Sequence, residues 1–260
     1  MCVSPSDPVL EAGSVRTSVA GGIGTVEFSH PKGNSLPALL LNQLAAAITQ
    51  LGADPAARVI VLKSGGDSTF CAGASFDEFA AVADAADGKE FFSGFGRVIL
   101  AMIRAPKFVL VRVQGRAAGG AIGVIAASDY SIAVRGAQVK LSELQVGIGP
   151  FVVSVVIERK LGVAPLMNLA VHADWHDAEW CERHGLYSML CGDGAALDAA
   201  VDAHAKRLAA SNPEAMAEMK RLFWRGTEGW EALLAERAAM SGRMVLSDFT
   251  RDALARFRAR

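Results

Sequence analysis

The chain has 260 residues, of which 52% are apolar and 20% charged, and its 26 basic and 27 acidic side chains leave a net charge of −1. This composition is typical of a globular protein and excludes a largely disordered one. The charge balance provides no general positive field for nucleic acid. No run reaches the ~18 apolar residues that span a bilayer. We therefore expect neither a nucleic acid nor a membrane as partner.

The reactive side chains show no metal-binding spacing. The four cysteines form no CxxC pair, and the five histidines show no HExxH spacing. Free thiols in a chain of this length are typical of a reducing compartment. The first residues, MCVSPSDPVLEAGS, have no basic and apolar signal pattern. We expect a cytoplasmic protein without a metal site.

The chain begins with a segment, residues 1–14, whose prolines and glycine predict a loose tail. Two β-prone runs follow, Val15–Ala20 and Ile23–Phe28, and Gly21-Gly22 between them predicts a hairpin. The segment Leu36–Leu51 has helical spacing of its leucines and ends before a glycine.

Strand and helix patterns then alternate. Apolar strand patterns occupy residues 58–63, 108–113, 130–134 and 138–141. Helical patterns between them occupy residues 75–83, 89–103 and 121–127. From residue 151 the chain reads as almost entirely helical, at 151–161, 164–172, 177–184, 195–210, 213–224, 227–241 and 247–258. This order predicts an α/β core over residues 15–194 and a helical C-terminal region over residues 195–260.

The segment Phe70–Ser75, FCAGAS, joins a predicted strand to a predicted helix. Gly73 permits a sharp backbone turn, after which the N–H of Ala74 would point outward at a helix start, where an anion is favoured. The same segment also fits a tight turn in which Ser75 caps the helix. The two interpretations stay open on these residues alone.

A second strand–loop–helix junction lies at Gly115–Gly120, GRAAGG. Its spacing matches neither the GxGxxG dinucleotide fingerprint nor the GK[ST] end of a P-loop. Its small residues fit either a backbone anion site or close packing of a helix on a strand.

Glu143 is the third candidate, because it lies among apolar residues and glycines in LSELQVGIGP. Burial there would raise its pKa and suit it to proton transfer. An exposed or paired loop glutamate is the alternative.

Taken together, FCAGAS, GRAAGGA and LSELQVGIGP resemble three ordered elements of the crotonase (enoyl-CoA hydratase/isomerase) superfamily, over about residues 15–190. The resemblance implies a crotonase-like spiral of ββα units with a helical C-terminal trimerisation region. It also implies an acyl-CoA thioester whose oxygen lies between the N–H groups of Ala74 and Gly120, with Glu143 as acid/base. No metal, redox nucleotide or flavin is implied, since coenzyme A is part of the substrate.

The resemblance further implies a homotrimer or a dimer of trimers. We expect the apolar residues of the late helices to pack partly against a neighbouring subunit, namely Leu222, Phe223, Trp224 and Trp230. Residues expected to contact the substrate are Lys32, Ala72, Phe76, Gly119, Gly123 and Phe151. Among these, Lys32 would meet phosphates, and Phe151 would contribute to a dry pocket wall.

One departure from the family pattern bears on the reaction. Hydratases of the family carry two glutamates, and here Gly123 stands at the place of the first while Glu143 keeps the second. A single base favours double-bond isomerisation, which moves one proton between two carbons. A hydratase of a short or branched enoyl-CoA, such as 3-methylglutaconyl-CoA, stays open, as does a non-catalytic acyl-CoA-binding subunit.

Overall fold

A computed structural model describes residues 13–258 of the chain. Its strands are β1 Ser14–Ala20, β2 Ile23–Ser29, β3 Val59–Ser64, β4 Thr69–Cys71, β5 Val109–Val113, β6 Arg116–Ala118, β7 Tyr130–Val134, β8 Gln138–Lys140, β9 His176–Asp177 and β10 Met189–Cys191. Its helices are α1 Ala38–Ala53, α2 Phe76–Ala81, α3 Ala85–Arg104, α4 Gly120–Ala126, α5 Phe151–Leu161, α6 Val163–His172, α7 Ala178–Arg183, α8 Gly194–Ala209, α9 Pro213–Phe223, α10 Trp230–Met244 and α11 Asp248–Arg258. A 3₁₀ turn covers Glu143–Val146. Most of the predicted tail lies outside the described residues.

The larger sheet has six strands in the order β1-β2-β3-β5-β7-β10. Strands β1 and β2 form the predicted antiparallel hairpin, and Gly21 and Gly22 turn it with φ of 57° and 80°. The other neighbouring pairs of this sheet run parallel. A parallel pair needs a crossover connection, which the intervening helices supply.

A smaller sheet has the order β4-β6-β8-β9. Each of β4, β6 and β8 follows a strand of the larger sheet, and each is followed by helical structure. The order strand, strand and helix thus recurs along the chain, beginning with β1, β2 and α1, and the predicted α/β spiral of ββα units is confirmed.

The larger sheet is covered on both faces. In β3, Ile60 and Leu62 pack into the cluster that includes α1 and α3, whereas Val59 and Val61 pack against α8. Because side chains alternate along a strand, burial of both faces explains the continuous apolar run of β3. Helix α8, the first of the predicted C-terminal region, therefore completes the sheet's cover.

The late helices differ from expectation in two respects. Trp224 and Trp230 are buried within this chain, 8% and 9% exposed, so they offer no apolar face to another subunit. Leu222 and Phe223 are more than half exposed. The region after residue 151 also contains strands β9 and β10, which are too short to produce a readable pattern.

Helix α10 lies directly on α3. A Cβ added to Gly88 of α3 would lie 2.7 Å from the Cα of Gly242 in α10. The two backbones approach closely because neither residue has a side chain. This contact fixes α3, one face of which borders the site described next.

Candidate active site

A cavity of about 810 Å³ opens beside the ends of β4 and β6. Its volume is in the range of pockets that hold a small organic ligand. Of the residues predicted for substrate contact and catalysis, all but one line it: Lys32, Ala72, Ala74, Phe76, Gly119, Gly120, Glu143 and Phe151. The structure therefore brings together residues that lie more than a hundred positions apart in the sequence.

The two predicted N–H donors follow neighbouring parallel strands. Cys71 of β4 pairs with Ala117 of β6, so the turns after these strands lie side by side. Neither the N–H of Ala74 nor that of Gly120 has a hydrogen-bond partner among residues 13–258. Two unpaired backbone N–H groups beside one cavity can donate hydrogen bonds to an oxygen atom on which negative charge develops.

The turn at Gly73 requires a glycine. Its φ is +96°, and a Cβ added there would lie 3.0 Å from the carbonyl oxygen of Ala118 in the neighbouring strand. Ser75 also caps α2, since its Oγ accepts the N–H of Glu78 at 3.3 Å. The tight turn with its Ser75 cap is thus confirmed, and it is compatible with an outward-pointing N–H at Ala74, whose role as a donor stays a prediction.

Gly119 makes room for a carboxylate. Its φ of 55° and ψ of −124° form a backbone conformation that glycine adopts more readily than other residues. Its N–H donates a hydrogen bond to the carbonyl oxygen of Lys140 at 2.9 Å. A Cβ on Gly119 would lie 3.3 Å from Oε1 of Glu143. The carboxylate therefore lies against the loop that carries the Gly120 donor.

Glu143 lies at the start of the 3₁₀ turn and at the wall of the cavity. Its Oε2 is buried and has no hydrogen-bond partner in the described part of the chain. Loss of hydration raises the pKa of Glu143 to about 7, although the backbone of Glu143 and Ser142 acts in the opposite direction. A carboxyl group with this pKa can take up and release a proton near neutral pH.

The C-terminal helix holds this turn in place. Thr250 is fully buried, and its Oγ1 lies 3.1 Å from the carbonyl oxygen of Gly147, the residue that ends the turn. On the other side, Gln145 donates from Nε2 to the carbonyl of Ala173 at 2.7 Å. The position of Glu143 thus depends on contacts made by both α11 and the end of α6.

Gly123 does not line the cavity, contrary to expectation. It is buried in α4, and a Cβ added there would lie 2.6 Å from Cγ1 of Val153 and 3.3 Å from Cδ1 of Ile99. Val153 itself borders the cavity. The space into which a side chain at position 123 would project is therefore filled by valine.

Lys32 lies at an exposed part of the cavity wall. Its Nζ is paired with Oδ2 of Asp77 at 2.5 Å, and the two side chains are 69% and 72% exposed. Exposed pairs of this kind contribute little to stability. A phosphate arriving at Lys32 would compete with this pair.

Four phenylalanines of the cavity wall escaped the sequence analysis, namely Phe79, Phe91, Phe92 and Phe95. Three of them belong to the KEFFSGF segment of α3, whose spacing puts them near one face of a helix. That spacing was available in the sequence, but apolar residues of a helix ordinarily indicate core packing.

The described residues hold no group of three or more His, Cys, Asp or Glu side chains arranged to bind a metal ion. No helix within residues 13–258 has the length and apolar character needed to cross a membrane.

Known proteins resemble this chain over most of its length. The sequence matches the family described as enoyl-CoA hydratase/isomerase over residues 18–255. A protein of Rhizobium meliloti named as a probable enoyl-CoA hydratase is 30% identical over 236 residues, which are 89% of this chain and 88% of that protein. A carnitinyl-CoA dehydratase of Citrobacter koseri is 27% identical over 204 residues, 78% and 77% of the two chains.

Solved structures show the same fold. An enoyl-CoA hydratase from Mycobacterium avium superposes with a TM-score of 0.83 at 25% identity, covering 94% of this chain and 96% of its own. The enoyl-CoA hydratase from Bacillus halodurans gives a TM-score of 0.85 at 22% identity, covering 93% and 99%. With the family match spanning both sheets and the cavity, the chain belongs to the enoyl-CoA hydratase/isomerase family of enzymes.

Proposed function

We propose that this enzyme isomerises the double bond of an unsaturated acyl-CoA thioester, with Glu143 as the single acid/base group. The observation that carries the proposal is the carboxylate itself, which borders the cavity with one oxygen buried and unpaired and a pKa of about 7. The filled space beside Gly123 supports a one-carboxylate reaction, because Val153 occupies the place from which a second carboxylate would act.

The proposed reaction starts from a 3-enoyl thioester whose carbonyl oxygen accepts hydrogen bonds from the N–H groups of Ala74 and Gly120. The Glu143 carboxylate removes a proton from the α-carbon, so that the C–H electron pair forms a C1–C2 double bond and the carbonyl π pair moves onto the oxygen, which gives a dienolate that still contains the C3–C4 double bond. Protonated Glu143 then returns the proton to the γ-carbon, which gives the 2-enoyl thioester. On this reprotonation the oxygen pair restores the carbonyl, the C1–C2 π pair becomes the C2–C3 double bond, and the C3–C4 π pair takes up the proton at C4. The backbone donors stabilise the enolate oxygen between the two steps.

Hydration of a 2-enoyl thioester is the second candidate, favoured by the relatives named hydratase and dehydratase. It requires a water molecule to be held and divided between the α- and β-carbons, so one carboxyl group would have to serve both ends. The third candidate is a subunit that binds acyl-CoA without turning it over.

The test is a product assay with purified protein on 3-enoyl-CoA, 2-enoyl-CoA and 3-methylglutaconyl-CoA, with products separated by mass and retention. We expect turnover of the 3-enoyl thioester without gain of water. The Glu143→Gln variant keeps the size of the side chain but not its basicity, and should lower turnover by at least ~10²-fold. Acyl-CoA affinity should change little, because the proposed donors are backbone groups.

Glu231→Gln is the matched control, since Glu231 lies at the start of α10, outside the cavity lining. It should leave turnover unchanged. Unchanged turnover in Glu143→Gln would assign the base to another group. Addition of 18 mass units by the native protein would favour hydration, and tight binding without any turnover would favour the binding subunit.

A further inference from the structure

The side chains that line the cavity are mostly apolar. Among the described lining residues, charged groups occur only at Lys32, Asp77, Glu143 and Arg256. The first two and the last are exposed side chains, so Glu143 is the only charge at the buried part. Four of the apolar lining residues are phenylalanines that precede Glu143 in the chain, and we call them the phenylalanine wall: Phe79, Phe91, Phe92 and Phe95.

The rings of this wall pack against one another. The Phe91 and Phe92 centroids are 5.0 Å apart with an interplanar angle of 85°, and those of Phe79 and Phe92 are 6.1 Å apart at 78°. Edge-to-face contacts of this kind hold the rings in defined positions. Phe91 and Phe92 nevertheless stay half-buried beside the cavity, so each has ring surface that a ligand would cover.

The wall begins at the proposed reaction centre. A Cβ added to Gly120 would lie 2.4 Å from Cε2 of Phe95, so this ring lies directly against the donor glycine. Phe91 lies one helical turn earlier on α3, a distance of about 6 Å along the helix axis. A butanoyl group ends two carbons past the α-carbon and would leave this part of the wall uncovered.

We propose that the enzyme takes a thioester with a bulky apolar acyl group, aliphatic or aromatic, of about six carbon atoms or more, which covers the phenylalanine wall. This inference rests on the proposal that the cavity holds an acyl-CoA thioester. It differs from the short or branched acyl group named for the hydratase alternative. Ile148 and Val245 pack with Phe79 in one apolar cluster, which supports this ring of the wall.

Binding of saturated thioesters tests the inference without any reaction. Calorimetric titration of the full chain with butanoyl-CoA, octanoyl-CoA and 3-phenylpropanoyl-CoA compares one short group with two bulky ones. We expect at least one bulky thioester to bind ~10-fold or more tightly than butanoyl-CoA, since each buried methylene adds to affinity. Butanoyl-CoA affinity equal to that of both bulky thioesters within two-fold would overturn the inference.

Variants distinguish the wall from general apolar attraction. Phe92→Ala should reduce the ratio of butanoyl-CoA to octanoyl-CoA dissociation constants by at least ~3-fold while leaving butanoyl-CoA binding nearly unchanged. Phe223→Ala is the matched control, because Phe223 is exposed on α9 and stacks on Phe108 away from the cavity. The ratio should not change in this control.

If the alanine variant does not fold, Phe92→Leu replaces it. This variant should also lower the ratio of the butanoyl-CoA to the octanoyl-CoA dissociation constant, by a smaller factor. An unchanged ratio in a folded Phe92 variant would overturn the inference. The failure of the proposed function gives a different result, because then none of the three thioesters binds or all bind without conversion of the matching enoyl substrates.

Discussion

Glu143 illustrates, at the scale of a single residue, how folding and chemistry place opposite demands on one group. Burial of its carboxyl favours the neutral form, whereas the proposed proton abstraction needs the charged one. With its pKa raised to about 7, the residue divides between both forms at neutral pH. The free energy lost by keeping it charged and buried is supplied by the rest of the fold.

This opposition predicts a pH dependence of stability. The folded pKa lies above the unfolded value of 4.5, so the folded state binds the proton more tightly. The stabilisation is fully present below about pH 4.5 and is lost as pH rises to about 7, a change of about 2–3 kcal/mol. Glutamine does not titrate, so Glu143→Gln should lack this loss.

Urea unfolding of both proteins at pH 5 and pH 8 measures the difference. Relative to Glu143→Gln, the native protein should lose stability between the two pH values. A difference in unfolding free energy that stays constant would mean that the carboxyl is hydrated in the folded protein.

Some residues of the site can be predicted from the sequence, and others cannot. Ala74, Gly120 and Glu143 lie in short motifs whose local turns decide their conformation, and the sequence predicts their common cavity. Val153 acts on Gly123 across two helices, which is a contact between distant segments. No local pattern specifies such packing, so the sequence wrongly assigned Gly123 to the cavity lining.

At the scale of elements, a buried ion pair joins α9 to the larger sheet. Lys220, 2% exposed on α9, donates from Nζ to Oδ2 of Asp129 at 2.8 Å, and burial lowers its pKa. Asp129 also accepts the Val109 N–H at 2.7 Å and the Trp224 Nε1–H at 3.1 Å. One carboxylate thus connects the start of β5 with two side chains of a late helix.

Removal of this carboxylate should be costly. Asp129→Asn would leave the Lys220 ammonium buried without its charge partner, and we expect a loss of about 3–5 kcal/mol of unfolding free energy. The exposed pair of Asp202 and Lys206 provides the control, because Asp202→Asn should change stability by less than about 1 kcal/mol. Chemical denaturation gives both values, and equal small effects would contradict the structural role.

Elements differ in how well the sequence predicts them. The sequence predicts long periodic helices such as α3 and α8 to within a few residues at each end, because burial of one face imposes a pattern. Strands β4 and β6 have three residues each and were predicted as loops. Their pairing is decided by their neighbours in the smaller sheet, so their own residues carry too little pattern.

At the scale of the molecule, helix α6 presents an exposed apolar stripe. Val163, Met167 and Val171 are 54%, 58% and 73% exposed and recur every four residues on one face. Leu144, 51% exposed, belongs to the 3₁₀ turn that carries Glu143. Contiguous apolar surface of this kind is typical of contacts between subunits.

We therefore expect self-association through α6, in line with the trimer or hexamer implied by the sequence resemblance. Light scattering should give a mass of at least three chains for the native protein, and Val171→Asp should lower it. Leu39→Asp, an exposed leucine on α1, should leave it unchanged. A stable native monomer at micromolar concentration would contradict this expectation.

The contact of Thr250 with Gly147 also bears on the order in which the site forms during synthesis of the chain. A ribosome adds residue 250 more than a hundred residues after residue 143, and sheets can fold while synthesis continues. Until α11 exists, the turn carrying Glu143 lacks the hydroxyl that lies 3.1 Å from its last carbonyl oxygen. A growing chain can therefore have both sheets in place while the turn that carries Glu143 still lacks its contact with α11.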